Sequence, residues 1–150
     1  MQFKSHMDRA MAMARAAAER GEVPVGAVLV GPDGRVLFEA GNRTREMADP
    51  TAHAEMLVIR EGAATLGSER LSGCDLYVTL EPCPMCAAAI SAARIARLYY
   101  GAADPKSGGV AHGARVFSHP QSHHVPEVYD GIGEDEASAL LRKFFADRRD

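Results

Sequence analysis

Strand-length and helix-length apolar patterns take turns along this chain, and that alternation restricts the fold more than any other feature. Val25 to Val30 and Val36 to Ala40 flank Gly31-Pro32-Asp33-Gly34, whose turn chemistry joins them as a β-hairpin. Leu76 to Leu80 (LYVTL) and Leu98 to Gly101 read as further strands, and Glu127 to Tyr129 as a short edge strand. Helical patterns run between them. Met7, Ala10, Met11, Ala14, Ala17 and Ala18 recur at helical spacing behind Ser5-His6-Met7-Asp8, which resembles a capping box, and Gly21 stops that helix. Asp49-Pro50 supplies an N-cap and a first-turn proline for a second helix, Thr51 to Leu66, ended by Gly67. That helix is apolar on most sides and is expected to be buried. Cys83-Pro84 opens an alanine-rich helix through Ala93. A last helix follows Gly133, with Ala137, Leu140, Leu141, Phe144 and Phe145 as its apolar stripe. Its acidic Glu134, Asp135 and Glu136 sit where the helix dipole favours them. Strands alternating with helices give an α/β layered fold, and the hairpin makes the sheet mixed.

At 150 residues the chain is the size of one domain, expected over residues 1–150. No apolar run approaches the ~18 residues of a membrane span, and no apolar stretch follows Lys4 as an export signal requires. Three cysteines, an odd number, suit a reducing cytoplasm rather than a disulfide framework. Lys and Arg total 17 against 20 Asp and Glu, a net charge of −3. A domain that grips nucleic acid by bulk charge would be basic, so any RNA contact must use a local patch. Arg142, Lys143, Arg148 and Arg149 form one such cluster, although basic residues also end helices for reasons of their own.

Chemistry concentrates in His53-Ala54-Glu55 and Glu81-Pro82-Cys83-Pro84-Met85-Cys86. Cysteines three apart at a helix start lie on one side of the first turn, and the helix N-terminus favours the thiolates that metal binding requires. No second Cys-x-x-Cys exists, and Cys74 reads as a buried free thiol. His53 supplies a third ligand. Three protein ligands leave a fourth position open, the arrangement of catalytic zinc, whereas a structural zinc site needs four. Glu55 then fits as a proton carrier. Residues two apart on a helix point about 200° apart at ~3.6 residues per turn, so His53 and Glu55 share a site only off the helix end, with His53 in the first turn. His119, His123 and His124 suggest a second metal site. Pro120 and Pro126 make that stretch non-helical and no cysteine joins it, so solvent or RNA contact is the better reading. Gly131-x-Gly133 reads as a turn and cap, and Gly108-Gly109 as a mobile loop.

The pattern His53-x-Glu55 … Pro82-Cys83-x-x-Cys86 is the signature of the zinc nucleobase deaminases. Beyond it, the chain resembles the bacterial tRNA-specific adenosine deaminases. Glu22 to Val30, Gly41-Asn42-Arg43, Asp49 to Glu55, Leu76 to Cys83, Gly101 to Gly108, and Phe144-Phe145 with Arg148-Arg149 carry the resemblance. It implies a three-layer α/β/α cytidine-deaminase-like fold around a central mixed sheet. It implies one zinc per subunit on His53, Cys83 and Cys86, with Glu55 catalytic. It also implies a homodimer whose tRNA anticodon-loop groove uses both subunits. Asn42 is expected to touch the flipped nucleotide, and the loop with Asp104 and Lys106 to meet flanking nucleotides. Ser122-His123-His124-Val125 stands where a more basic loop would be expected. The expected reaction is hydrolytic deamination of adenosine to inosine at the wobble position. A free-base or nucleoside deaminase acting on guanine, cytosine or cytidine is the nearest alternative. A non-enzymatic zinc-stabilised RNA-binding module is a third, and it would need neither Glu55 nor an open coordination position.

Overall fold

The computed structural model describes residues 2–148. Five strands form one mixed sheet in the order β2-β1-β3-β4-β5. β1 (Gly26–Val30) pairs antiparallel with β2 (Val36–Gly41), as the turn residues predict, and antiparallel with β3 (Asp75–Leu80) on its other side. β4 (Arg97–Ala102) and β5 (Glu127–Tyr129) continue parallel to β3. Strand direction therefore changes between β1 and β3. β5 is the exposed edge strand expected from its short run.

Every residue of β1 is buried, so both faces of the sheet are covered. Side chains alternate across a strand. Val28 and Val30 pack with Met7 and Ala10 of α1 (Gln2–Glu19), whereas Ala27 and Leu29 pack with Ala54 and Val58 of α2 (Ala54–Leu66). α3 (Pro84–Ala92) joins α2 through Ile90, and α4 (Glu134–Asp147) lies on the α1 side. The result is the three-layer α/β/α arrangement. Gly26 is where α1 meets the sheet: a Cβ there would lie 1.9 Å from the Ala10 carbonyl oxygen. No helix among the described residues is long and apolar enough to cross a membrane.

Four local expectations change. α1 begins a turn before Ser5, so the capping-box pattern lies inside the helix; Gln2 and Lys4 are good helix formers. α2 begins at Ala54 rather than Thr51. Asp49 Oδ1 accepts the Thr51 N–H at 2.8 Å and its hydroxyl at 2.7 Å, so this strong cap residue closes a separate turn. Nor is α2 buried all round: Ala54, Glu55, Val58 and Gly62 are, but Met56, Leu57 and Ile59 are half-buried and Leu66 is exposed. On α4, Ala137 and Phe144 face the core while Phe145 stands 48% exposed. The Arg148 guanidinium lies 3.8 Å from the Phe144 ring centroid, a cation–π contact. Arg149 lies outside the described residues.

Candidate active site

Two helix starts converge at one end of the sheet. β3 ends at Leu80, the chain turns through buried Glu81 and Pro82, and Cys83 becomes the N-cap of α3. His53 is the N-cap of α2, one position before the first turn where it was expected. Both residues have extended backbones, and neither side chain caps its own helix. They face each other instead. His53 Nδ1 lies 3.6 Å from Cys83 Sγ and 3.4 Å from Cys86 Sγ, and the three donor atoms all fall within 4.8 Å of one another.

Those spacings suit zinc. Bonds of about 2.3 Å to sulfur and about 2.0 Å to nitrogen, opened to a tetrahedral angle, set N and S about 3.5 Å apart. Among the described residues no other His, Cys, Asp or Glu group meets the same test. The histidines at 119–124 do not: His119 Nε2 pairs with the Ala114 carbonyl at 2.9 Å and His124 Nε2 with the Ile95 carbonyl at 2.7 Å. Cys74 is buried and free, as its sequence context suggests.

Charge at the site follows from burial and these contacts. The Cys86 thiol hydrogen-bonds to Cys83 and brings it down to about 4, helped by His53 and opposed by burial. The same bond, with burial, drives Cys86 upward, so one thiol keeps its proton until a cation displaces it. Glu55 is 4% exposed in the first turn of α2. Burial lifts its carboxyl to about 7, against the pull of its own backbone N–H and of His53. A carboxyl poised there can both take and return a proton near neutral pH.

A cavity of about 230 Å³ opens over these groups. One wall carries Asn42 and Thr44, the other Asp104 and Ser107. Asn42 Oδ1 accepts the Ala54 N–H at 2.9 Å, doing for α2 what the His53 side chain does not. Its Nδ2 has no protein partner among the described residues. Lys106 lines no part of this cavity. It lies with Phe145 and Arg148 along an adjoining groove of about 690 Å³ that shares Asp104 and Ser107. A further hollow of about 320 Å³ between α3 and the 116–123 segment holds none of the metal donors.

Two carboxylates that stand in the sequence motifs, Glu22 and Glu81, have roles the sequence did not reveal. Glu22, 1% exposed, accepts the backbone N–H groups of Arg45 at 3.2 Å and Glu46 at 2.8 Å, and so holds the loop behind Asn42 and Thr44. Glu81, 2% exposed, holds the opposite loop. Burial pushes its carboxyl up, but hydrogen bonds from Asp104, His112 and Val110 outweigh that and keep it below the ordinary range. The signal was a glutamate set within an apolar stretch: Glu22 before Val23-Pro24-Val25, and Glu81 after LYVTL. Gly108 and Gly109, expected in a mobile loop, are both buried, Gly108 against this second clamp and Gly109 against the Cys83–Pro84 backbone.

Three soft donors at two helix N-termini, beside a buried glutamate in a layered α/β fold, define a zinc-binding deaminase domain. Residues 1–102 match the family model for the cytidine and deoxycytidylate deaminase zinc-binding region, and the chain belongs to that family. It is 62% identical over 143 residues to the tRNA-specific adenosine deaminase of Agrobacterium fabrum, across 95% of this chain and 93% of the relative, and so falls among the tRNA-specific adenosine deaminases. A tRNA:A34 deaminase solved in work on A-to-I editing at the wobble position superposes with a TM-score of 0.89 at 61% identity, over 91% of this chain and 99% of that one. The guanine deaminase of Bacillus subtilis shares the fold at 30% identity, with a TM-score of 0.67 over 100% of this chain and 99% of its own.

Proposed function

We propose that this chain deaminates adenosine to inosine at the wobble position of a tRNA anticodon loop. It acts as one domain over residues 1–150, in the cytoplasm and as a homodimer with one zinc per subunit. The observation that carries the reading is the His53, Cys83 and Cys86 donor set beside buried Glu55 in a cavity that opens onto a groove bearing Lys106 and Arg148. A free base needs only the cavity. The basic groove beside it suits phosphates and flanking nucleotides, and favours RNA over the small-molecule reading.

His53, Cys83 and Cys86 would hold the zinc, which as a Lewis acid would make water nucleophilic near neutral pH. Glu55 does the proton work. Its carboxylate takes a proton from the water that attacks C6 of the flipped adenine, then delivers it to the ring nitrogen. Glu55 then takes the proton of the new C6 hydroxyl and passes it to the amino group, which leaves as ammonia, and inosine remains. Asn42 reaches the flipped nucleotide through its unpaired Nδ2 while Oδ1 stays on α2. Asp104 faces the neighbouring nucleotide at the mouth, and Lys106 meets the backbone outside it. The half-buried Met56, Leu57 and Ile59 of α2 leave apolar surface for a second copy.

One assay tests this reading. Zinc-loaded protein is incubated with an arginine tRNA carrying a wobble adenosine and, in parallel, with guanine, cytosine and cytidine, measuring inosine and ammonia. Inosine from the tRNA alone is expected. Turnover of free bases alone moves the assignment to a small-molecule deaminase, and no turnover by zinc-loaded protein favours an RNA-binding module.

A further inference from the structure

We infer that Glu81 is a positioning residue: it fixes the loop from Asp104 to His112 to the strand end that delivers Cys83, so that the substrate wall and the metal donors move as one body. The inference rests on the proposed function for its substrate, but not for its geometry.

Glu81 leaves β3 two residues before Cys83. Its carboxylate is saturated by one loop. Oε1 accepts the Asp104 N–H at 3.0 Å and the His112 Nδ1–H at 2.8 Å. Oε2 accepts the N–H groups of Val110, Ala111 and His112 at 3.1, 2.9 and 3.1 Å. A carboxylate only accepts, so the His112 proton must sit on Nδ1. The Glu81 side chain is 0% exposed, and charged hydrogen bonds in so dry a place are about twice as strong as neutral ones. The spacing is close to its limit: a Cβ on Gly108 would stand 2.5 Å from Glu81 Oε2 and 2.5 Å from the Asp104 carbonyl oxygen.

Four of this loop's backbone N–H groups turn onto that one side chain. The rest of the loop is held by the Ser107 and Gly108 N–H groups on Asp104, by the Gly109 N–H on the Pro82 carbonyl at 2.8 Å, and by the Val116 N–H on the Gly109 carbonyl at 2.8 Å. Asp104 and Ser107 form one wall of the cavity. Freed from Glu81, that wall no longer stands at a set distance from Glu55. Positional error of this kind weakens substrate placement before it touches the proton chemistry. A change in KM larger than the change in kcat is therefore expected.

The test uses three variants of the full chain, zinc-loaded: Glu81→Ala, Glu81→Gln and Gly108→Ala. Amide hydrogen exchange at Asp104, Val110, Ala111 and His112 is read by NMR, with zinc content and steady-state deamination of a wobble-adenosine anticodon stem-loop alongside. In Glu81→Ala all four amides should exchange about tenfold faster or more, with one zinc retained and KM raised about tenfold. Glutamine offers one acceptor oxygen, so either Asp104 or the 110–112 group stays protected in Glu81→Gln and the other is lost. Gly108→Ala leaves Glu81 intact and should reproduce the faster exchange and the higher KM. Wild-type exchange in Glu81→Ala overturns the inference, as does faster exchange with KM unchanged. Loss of zinc in both Glu81 variants with the loop amides still protected also overturns it. A wild-type protein inactive on the stem-loop defeats the proposed function instead, and the exchange pattern still decides the clamp.

Discussion

Replacing Asn42 with alanine should weaken the fold and the active site together. Helix α2 begins with N–H groups that have no partner inside the helix, and His53 provides no side-chain acceptor. Asn42 Oδ1 takes the Ala54 N–H at 2.9 Å in a buried position. Losing an N-cap acceptor costs about 1 kcal/mol. Leaving a buried donor unpaired costs about 1–3 kcal/mol. These describe one event and do not add, so Asn42→Ala should lower stability by about 1–3 kcal/mol. Equilibrium urea unfolding of the metal-free protein measures this without zinc's contribution. Asn42→Asp keeps an acceptor at the positive end of α2 and should lose less stability, while losing the Nδ2 donor and with it substrate affinity. A loss below about 0.5 kcal/mol in Asn42→Ala, with unchanged slope, would refute the capping role.

Glu55→Gln should bind zinc at wild-type stoichiometry yet lose about 10²–10⁴-fold in turnover, measured as inosine formed under single-turnover conditions; near-normal turnover removes Glu55 from the proton path. Stripping zinc with a chelator should abolish activity and lower Tm, and zinc but not magnesium should restore both, because the donors are two sulfurs and an imidazole. Gly26→Ala should destabilise by about 1–3 kcal/mol in urea unfolding. Its Cβ would meet the Ala10 carbonyl oxygen at 1.9 Å, and backbone of α1 cannot swing aside as a side chain can.

What could be read from the sequence was whatever local chemistry determines. The hairpin followed from Gly31 to Gly34, and the convergence of two helix starts followed from Cys83-Pro84 and His53-Ala54-Glu55. The start of α2 was misplaced because Asp49 is a strong cap wherever it finds an N–H, and it found Thr51. The burial of α2 was overestimated because an apolar sequence does not say which face meets the sheet. Lys106 was grouped with Asp104 because they are neighbours in sequence, yet only Asp104 reaches the cavity, while both line the groove beside it. The holding roles of Glu22 and Glu81 went unread for a different reason. Their partners lie more than 20 residues away, at Arg45 and Glu46 and at Asp104 to His112. A local window shows each glutamate in its apolar setting but not the distant loop that fills its acceptor capacity.

The reversal of strand direction between β1 and β3 divides the molecule into a working end and a quiet end. Asn42, the two ligand-bearing helix starts and the Asp104 loop all emerge at the first. The Gly31 to Arg35 turn, the Gly67 to Cys74 connection and the Ala93 to Ala96 link all emerge at the second. Fusion of a reporter or an appended module through the exposed Pro32 to Gly34 tip should thus leave the chemistry untouched, making that tip the natural handle for tethering this protein to anything else.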